Sequence, residues 1–263
     1  MKTKIAFLLI LISATCNLVS FAQTDEEETN DEKVTDIDGN IYSVVKIGNQ
    51  YWLGENLKVS RFLNGDSIQK TSYKGLWSTQ PCRQIFSTDS GVAKVYGNYY
   101  NWYAISDKRG ICPKGWHVPT SAEFDILVAA VREGNAPIPN ILATGEYIDM
   151  RAMSGEDDSA PFTANLYNWN NTIPFDVEGA DKFKLKFSRG SSGFKAPPAG
   201  FFDKESGKFS GVRNFAWFWT SERDLADTYD LDAIARKLVG FNYDMEKEPK
   251  RKHMGYSCRC IKD

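Results

Sequence analysis

The chain has only two histidines, His117 and His253, almost no excess of charge and no apolar run long enough to cross a bilayer. Each of these absences removes a class of function. With 32 basic against 34 acidic side chains there is no broad positive surface for nucleic acid or for acidic lipid. No stretch reaches the roughly 18 to 20 apolar residues of a stable membrane span. No His-Glu-x-x-His, Gly-x-Ser-x-Gly or Gly-rich phosphate loop with its lysine occurs, so the easily read metalloprotease, serine hydrolase and nucleotide-binding classes drop out. What remains is 263 residues that are 42% hydrophobic and 13% aromatic, which excludes a disordered or collagen-like chain.

Residues 1–22 show Lys2 and Lys4, an apolar run from Ile5 to Ile12, and Ser20-Phe21-Ala22 before Gln23, the layout of a cleaved secretory signal. The alternative, a lipid anchor on Cys16, is disfavoured by the poor lipobox Ser13-Ala14-Thr15. The expected product is therefore secreted or displayed at the cell surface. Residues 23–33 are polar and acidic and read as a linker, leaving 34–263 as one domain. In an exported chain the cysteines that remain, Cys82, Cys112, Cys258 and Cys260, read as disulfides rather than a reduced metal site. Cys258 and Cys260 are two apart on an expected strand and so face opposite ways, which disfavours their joining each other. Two connectivities are left, and Cys112 with Cys260 plus Cys82 with Cys258 is the preferred one.

Between Val34 and Trp52, β-branched and aromatic runs are separated by Asp38-Gly39 and Gly48-Asn49, pairs suited to tight turns, so antiparallel strands are expected. The Asp36-x-Asp38-Gly39-Asn40 cluster lacks the further carboxylates of a calcium loop and is read as a hairpin. Residues 67–93 read as an irregular loop carrying Cys82. The aromatic run Tyr96 to Ala104 suits either sugar stacking or a core, and the core reading is preferred. Thr120 with Glu123 forms a capping box, which predicts a helix running to about Arg132. His117, just upstream, is read as a hydrogen-bonded structural group at the turn into that helix, and His253 as a solvated loop residue.

Residues 134–174 are rich in Gly, Pro, Asn and Asp and read as a long excursion, with the sequon Asn170-Asn171-Thr172 inside it. Strand patterns return at 183–187, 199–203, 215–221, 233–241 and 257–261. Glu222, Asp224 and Asp227 after the run at 215–221 read as a solvated face rather than a glycosidase pair. One early helix followed by late strands gives an α+β fold, a single domain of mainly antiparallel strands with few helices.

Several segments carry a resemblance. They are Val34 to Tyr42, Ile47 to Trp52 with Glu55-Asn56-Leu57-Lys58, Tyr96 to Ala104, Cys112 to Phe124, Trp219-Thr220-Ser221, and Arg259 to Asp263. In this order they resemble the Fibrobacter succinogenes major paralogous domain family, exported proteins abundant in Bacteroidetes and Fibrobacteres. Phe124 stands where that family usually has Trp, and Cys258 where it often has no cysteine. The resemblance implies an extracytoplasmic module with no established catalytic residues to carry over. Asp66-Ser67-Ile68 and Asp158-Ser159-Ala160 are similar to the short O-glycan acceptor pattern of Bacteroidetes. The Gly-Trp turn into a helix, the Trp-Thr-Ser strand and the terminal Cys strand also look like the C-type lectin-like fold, although its calcium-binding Glu-Pro-Asn and Gln-Pro-Asp signatures are absent.

The function expected is a non-catalytic binding module for an extracellular glycan or protein, needing no cofactor and no metal. The competing readings are an exported enzyme on the same scaffold, either a glycan hydrolase or a formylglycine-generating-like oxidase, and a structural surface protein. Trp77, Tyr147, Tyr167 and Trp169 are the expected ligand contacts, because they are large rings in expected loops.

Overall fold

A computed structural model describes residues 32–71, 79–86, 90–131, 192–212, 215–239 and 245–263. The expectations for the signal, Cys16, the acidic linker up to residue 31, the 134–174 excursion and the strand at 183–187 lie outside these residues.

The first strands form as their patterns dictate. Strands β1 (Lys33–Thr35), β2 (Ile41–Ile47) and β3 (Gln50–Leu53) pair antiparallel through turns at Gly39 and Gly48, both at positive φ. A Cβ at Gly48 would lie 2.9 Å from the Ala130 Cβ, so glycine serves there both the turn and the close approach of a helix. Asp36 accepts from the backbone of Asp38 and Asn40 and from the Tyr42 hydroxyl at 2.6 Å. Asp38 is held by Ser60 and Arg61. The acidic cluster thus braces a hairpin.

The region from 67 to 93 is more regular than its composition suggests. It contains β4 (Gln69–Lys70), β5 (Cys82–Ile85) and the start of α1 (Ser90–Tyr96), and Cys82 opens a strand rather than sitting in an irregular loop. Pairing to β6 (Asn98–Tyr100) supplies the order that local sequence lacks. Asn101 caps α2 (Trp102–Ile105) and also accepts from the Cys82 N–H at 2.9 Å, so one side chain joins the two elements. Tyr96, Tyr99 and Tyr100 are fully buried, as the core reading requires.

Helix α3 (Ser121–Val131) follows β7 (Trp116–His117). Its capping box closes both ways, with Thr120 N–H donating to Glu123 at 2.7 Å and Glu123 N–H to the Thr120 hydroxyl at 3.2 Å. Phe124, Leu127, Val128 and Val131 recur on one face and are buried against Trp52, Phe194 and Phe218. Each such side chain contributes about 1.5–3 kcal/mol on burial.

The later strands are β8 (Phe201–Asp203), β9 (Lys208–Ser210), β10 (Phe215–Arg223), β11 (Asp232–Val239), β12 (Glu246–Arg251) and β13 (Ile261–Lys262). One sheet runs β1-β2-β3-β13-β7 and another β10-β11-β12. Pairing is antiparallel apart from β4 with β5 and two isolated bridges. The α+β expectation of mainly antiparallel strands and few helices holds. Three details differ. Residues 258–260 precede β13 rather than forming a strand, residues 246–251 are a strand despite their charge, and His253 is buried behind it rather than solvated.

Arg259 sits at the seam between the sheets, fully buried. It donates to the carbonyls of Leu53, Phe194 and Lys195 and to the Asn56 side chain, with its guanidinium 4.4 Å from the Phe194 ring centre. Burial pulls its pKa down to about 9. This one residue ties the segment entering β8 to β3.

Candidate functional site

The four rings expected to contact a ligand, Trp77, Tyr147, Tyr167 and Trp169, lie outside the described residues. The cysteine expectation divides. Cys112 and Cys260 form a disulfide closing 148 residues, whereas Cys82 and Cys258 are free, so the second expected bridge is absent. The physical reason is local. Because residues 258–260 are not a strand, alternation does not turn Cys258 away from Cys260, and the sulfurs of Cys112, Cys258 and Cys260 lie within 4.8 Å of one another. Two of those sulfurs are consumed by the disulfide, and burial pushes the Cys258 thiol far above its ordinary range. Burial also raises the Cys82 thiol. Neither free thiol has the lowered pKa of a reactive cysteine.

His117 serves the turn into α3, as expected, and the structure supplies its partners. One ring nitrogen lies 2.7 Å from Asp263 and the other 2.9 Å from Glu123. Desolvation pulls the ring's pKa down, but the two carboxylates outweigh it and raise the value overall. Glu123 is desolvated too, yet the Thr120 N–H and His117 hold its carboxyl below the usual range. Both ring nitrogens are thereby engaged, one fastening β7 to the start of the helix and the other to Asp263 after β13.

A different place gathers groups that the fold does not use. Strand β10 leaves its ladder after Trp219, and pairing resumes only at Arg223 opposite Ala233. This bulge docks on the start of α3, with Ser221 N–H donating to the Pro119 carbonyl and Glu222 accepting from Ser121 N–H at 3.1 Å. Glu222 is thus part of a helix N-terminus rather than a solvated face, a favourable place for a carboxylate. Beyond the bulge lies an open groove of roughly 660 Å³, lined by Trp102, residues 221–226, Ile234 and Lys247.

The rim of the groove is the loop between β10 and β11, and it is braced from within. Asp227 accepts from the N–H groups of Tyr229, Leu231 and Asp232, and Asp224 from Ala226. Asp230 holds the buried Lys252 ammonium at 2.5 Å, and that ammonium lies 4.8 Å from the Trp102 ring centre. The result is a fixed loop that carries Leu225 and Tyr229 into solvent, each 82% exposed, the highest values among the large apolar side chains described. Sequence reasoning passed over this site because its residues come from α2, β10, β11 and β12. The visible signal was Leu225 and Tyr229 set among loop aspartates.

The described residues thus define a mainly antiparallel α+β domain with a surface groove beside a braced loop. Residues 45–262, well over half of the chain, match the Fibrobacter succinogenes major domain, and the chain belongs to that family. No curated protein and no solved structure matches it. Among the described residues no helix is long and apolar enough to cross a membrane.

Proposed function

We propose that the protein is a non-catalytic, exported or cell-surface binding module that takes an extracellular ligand, glycan or protein, at the groove beside the β10–β11 loop. The observation that carries this reading is the braced exposure of Leu225 and Tyr229. A loop organised by its own aspartates holds two large apolar side chains in water, one of them, Leu225, lining the cavity. Exposed apolar area of that kind is a recurring mark of interaction sites. The engagement of both His117 nitrogens and the raised thiols of Cys82 and Cys258 favour binding over the enzymatic alternatives. We read the architecture as C-type lectin-like. The reading is supported by β13 lying beside β3 in one sheet, a capped helix before the second sheet, and the Cys112–Cys260 bridge.

The test is a screen of the purified chain on a glycan array, with and without calcium, together with cross-linking on intact cells. Leu225→Asp and Tyr229→Ser are expected to abolish the binding found. A ligand held equally well by both variants would remove the groove from consideration.

A further inference from the structure

Building on that reading of the groove, we infer that its ligand is a segment of a protein partner presenting an apolar side chain next to a carboxylate. The argument starts from what the fold leaves over. Four charged residues line the groove, and their formal charges balance. They are not equally available. Glu222 accepts from the Ser121 N–H and Asp224 from the Ala226 N–H, whereas the side chains of Arg223 and Lys247 are exposed and make no hydrogen bond or ion pair with any described residue. The ligand therefore meets unengaged donors, and the complementary group is an acceptor carrying negative charge.

The lining chooses between a peptide and a sugar. Sugars are held by flat rings with an open face, and Trp102 is the one ring among the lining residues. Its indole N–H already donates to the Thr220 carbonyl at 3.1 Å, and the Lys252 ammonium occupies the space over the ring. The rest of the apolar lining, Leu225, Ala226 and Ile234, is aliphatic and suits a side chain such as Leu, Ile or Phe. Outside the lining, Tyr229 adds a second large anchor, and Tyr and Arg are both enriched among the residues that dominate protein interfaces. Recognition proceeds through side chains rather than by strand addition, because β12 at the sheet edge carries Pro249, which has no N–H to give to a further strand.

The experiment measures binding of the full chain to an array of short peptides in which Asp or Glu flanks Leu, Ile or Phe. Alongside are the same peptides with Lys for the acid, and oligogalacturonate as an acidic glycan. Acidic–apolar peptides are expected to bind and their Lys counterparts to fail. Arg223→Glu with Lys247→Glu, and separately Leu225→Asp, are expected to weaken binding by about tenfold or more. Lys114→Glu, a single charge reversal at an exposed position outside the groove, is expected to change nothing. Binding indifferent to the sign of the peptide charge, or no peptide binding at all, overturns the inference. Oligogalacturonate binding lost in the same variants, without peptide binding, removes the protein partner but keeps the groove. Peptide binding unmoved by the groove variants removes both.

Discussion

Arg259 and Arg223 stand for two regions built on opposite rules. Around Arg259 every nitrogen is engaged and water is excluded, and the guanidinium meets three carbonyls, an amide oxygen and an aromatic face. Around Arg223 and Lys247 the cations face water and their side chains engage no described residue, while the neighbouring carboxylates each accept from a backbone N–H. A buried charge is tolerated when its geometry is fully determined by its surroundings, and such a group helps to specify the fold. A pair of unengaged cations beside exposed apolar side chains adds little to stability, so its reason must be sought outside the chain.

The comparison is broken most severely at the seam. Arg259→Leu leaves two buried carbonyls, a partly buried one and the Asn56 oxygen without their donor and is expected to cost about 3–5 kcal/mol, read as a lowered urea midpoint. Arg259→Lys should rescue little of it, since one ammonium cannot reproduce the planar fork. Next in size is the disulfide: Cys112→Ala is expected to lower stability by about 2–4 kcal/mol, since its partner lies 148 residues away. Peptide mapping after alkylation under denaturing conditions should find Cys82 and Cys258 as free thiols in the parent chain, and a Cys82–Cys258 peptide would contradict the structure.

A smaller effect belongs to His117. Its folded pKa is raised, so its contribution is complete below the unfolded value of about 6.5 and is lost as pH rises through the folded value. Solvent screening at this partly exposed ring keeps the contribution within about 1 kcal/mol. Denaturation curves across that window should therefore slope downward with rising pH in the parent and lie flatter in His117→Gln. The smallest change is expected in the groove. Arg223→Ala with Lys247→Ala should move stability by no more than about 0.5 kcal/mol. A larger loss would mean that these cations serve the fold, and the contrast with Arg259 would disappear.

Local chemistry that acts over a few residues was legible in the sequence. The turn pairs at Gly39 and Gly48, the Thr120–Glu123 box and the buried aromatics of 96–100 all follow from neighbouring residue types. Strand β12 was not legible, because Glu246 to Arg251 alternates charge with charge and holds a proline. Its inner residues Glu246, Glu248 and Lys250 are kept there by ion pairs to one another and to Lys237, and Lys237 and Lys250 in turn lie over Trp217. Cys258 was misjudged for a related reason, since alternation applies only where a strand exists. The groove was invisible because only the bulge after Trp219 brings its parts together.

The five-stranded sheet also imposes an order in time. Ile261 lies between Trp52 of β3 and His117 of β7, so strands synthesised early stay apart until residue 261 arrives. Contacts between positions this distant in sequence slow folding, because the intervening chain must first be gathered. A chain made from its N-terminus therefore stays incompletely folded until residue 261 has been made, with β3 and β7 lacking the strand that joins them. The architecture itself thus postpones closure of this sheet until residue 261 is in place.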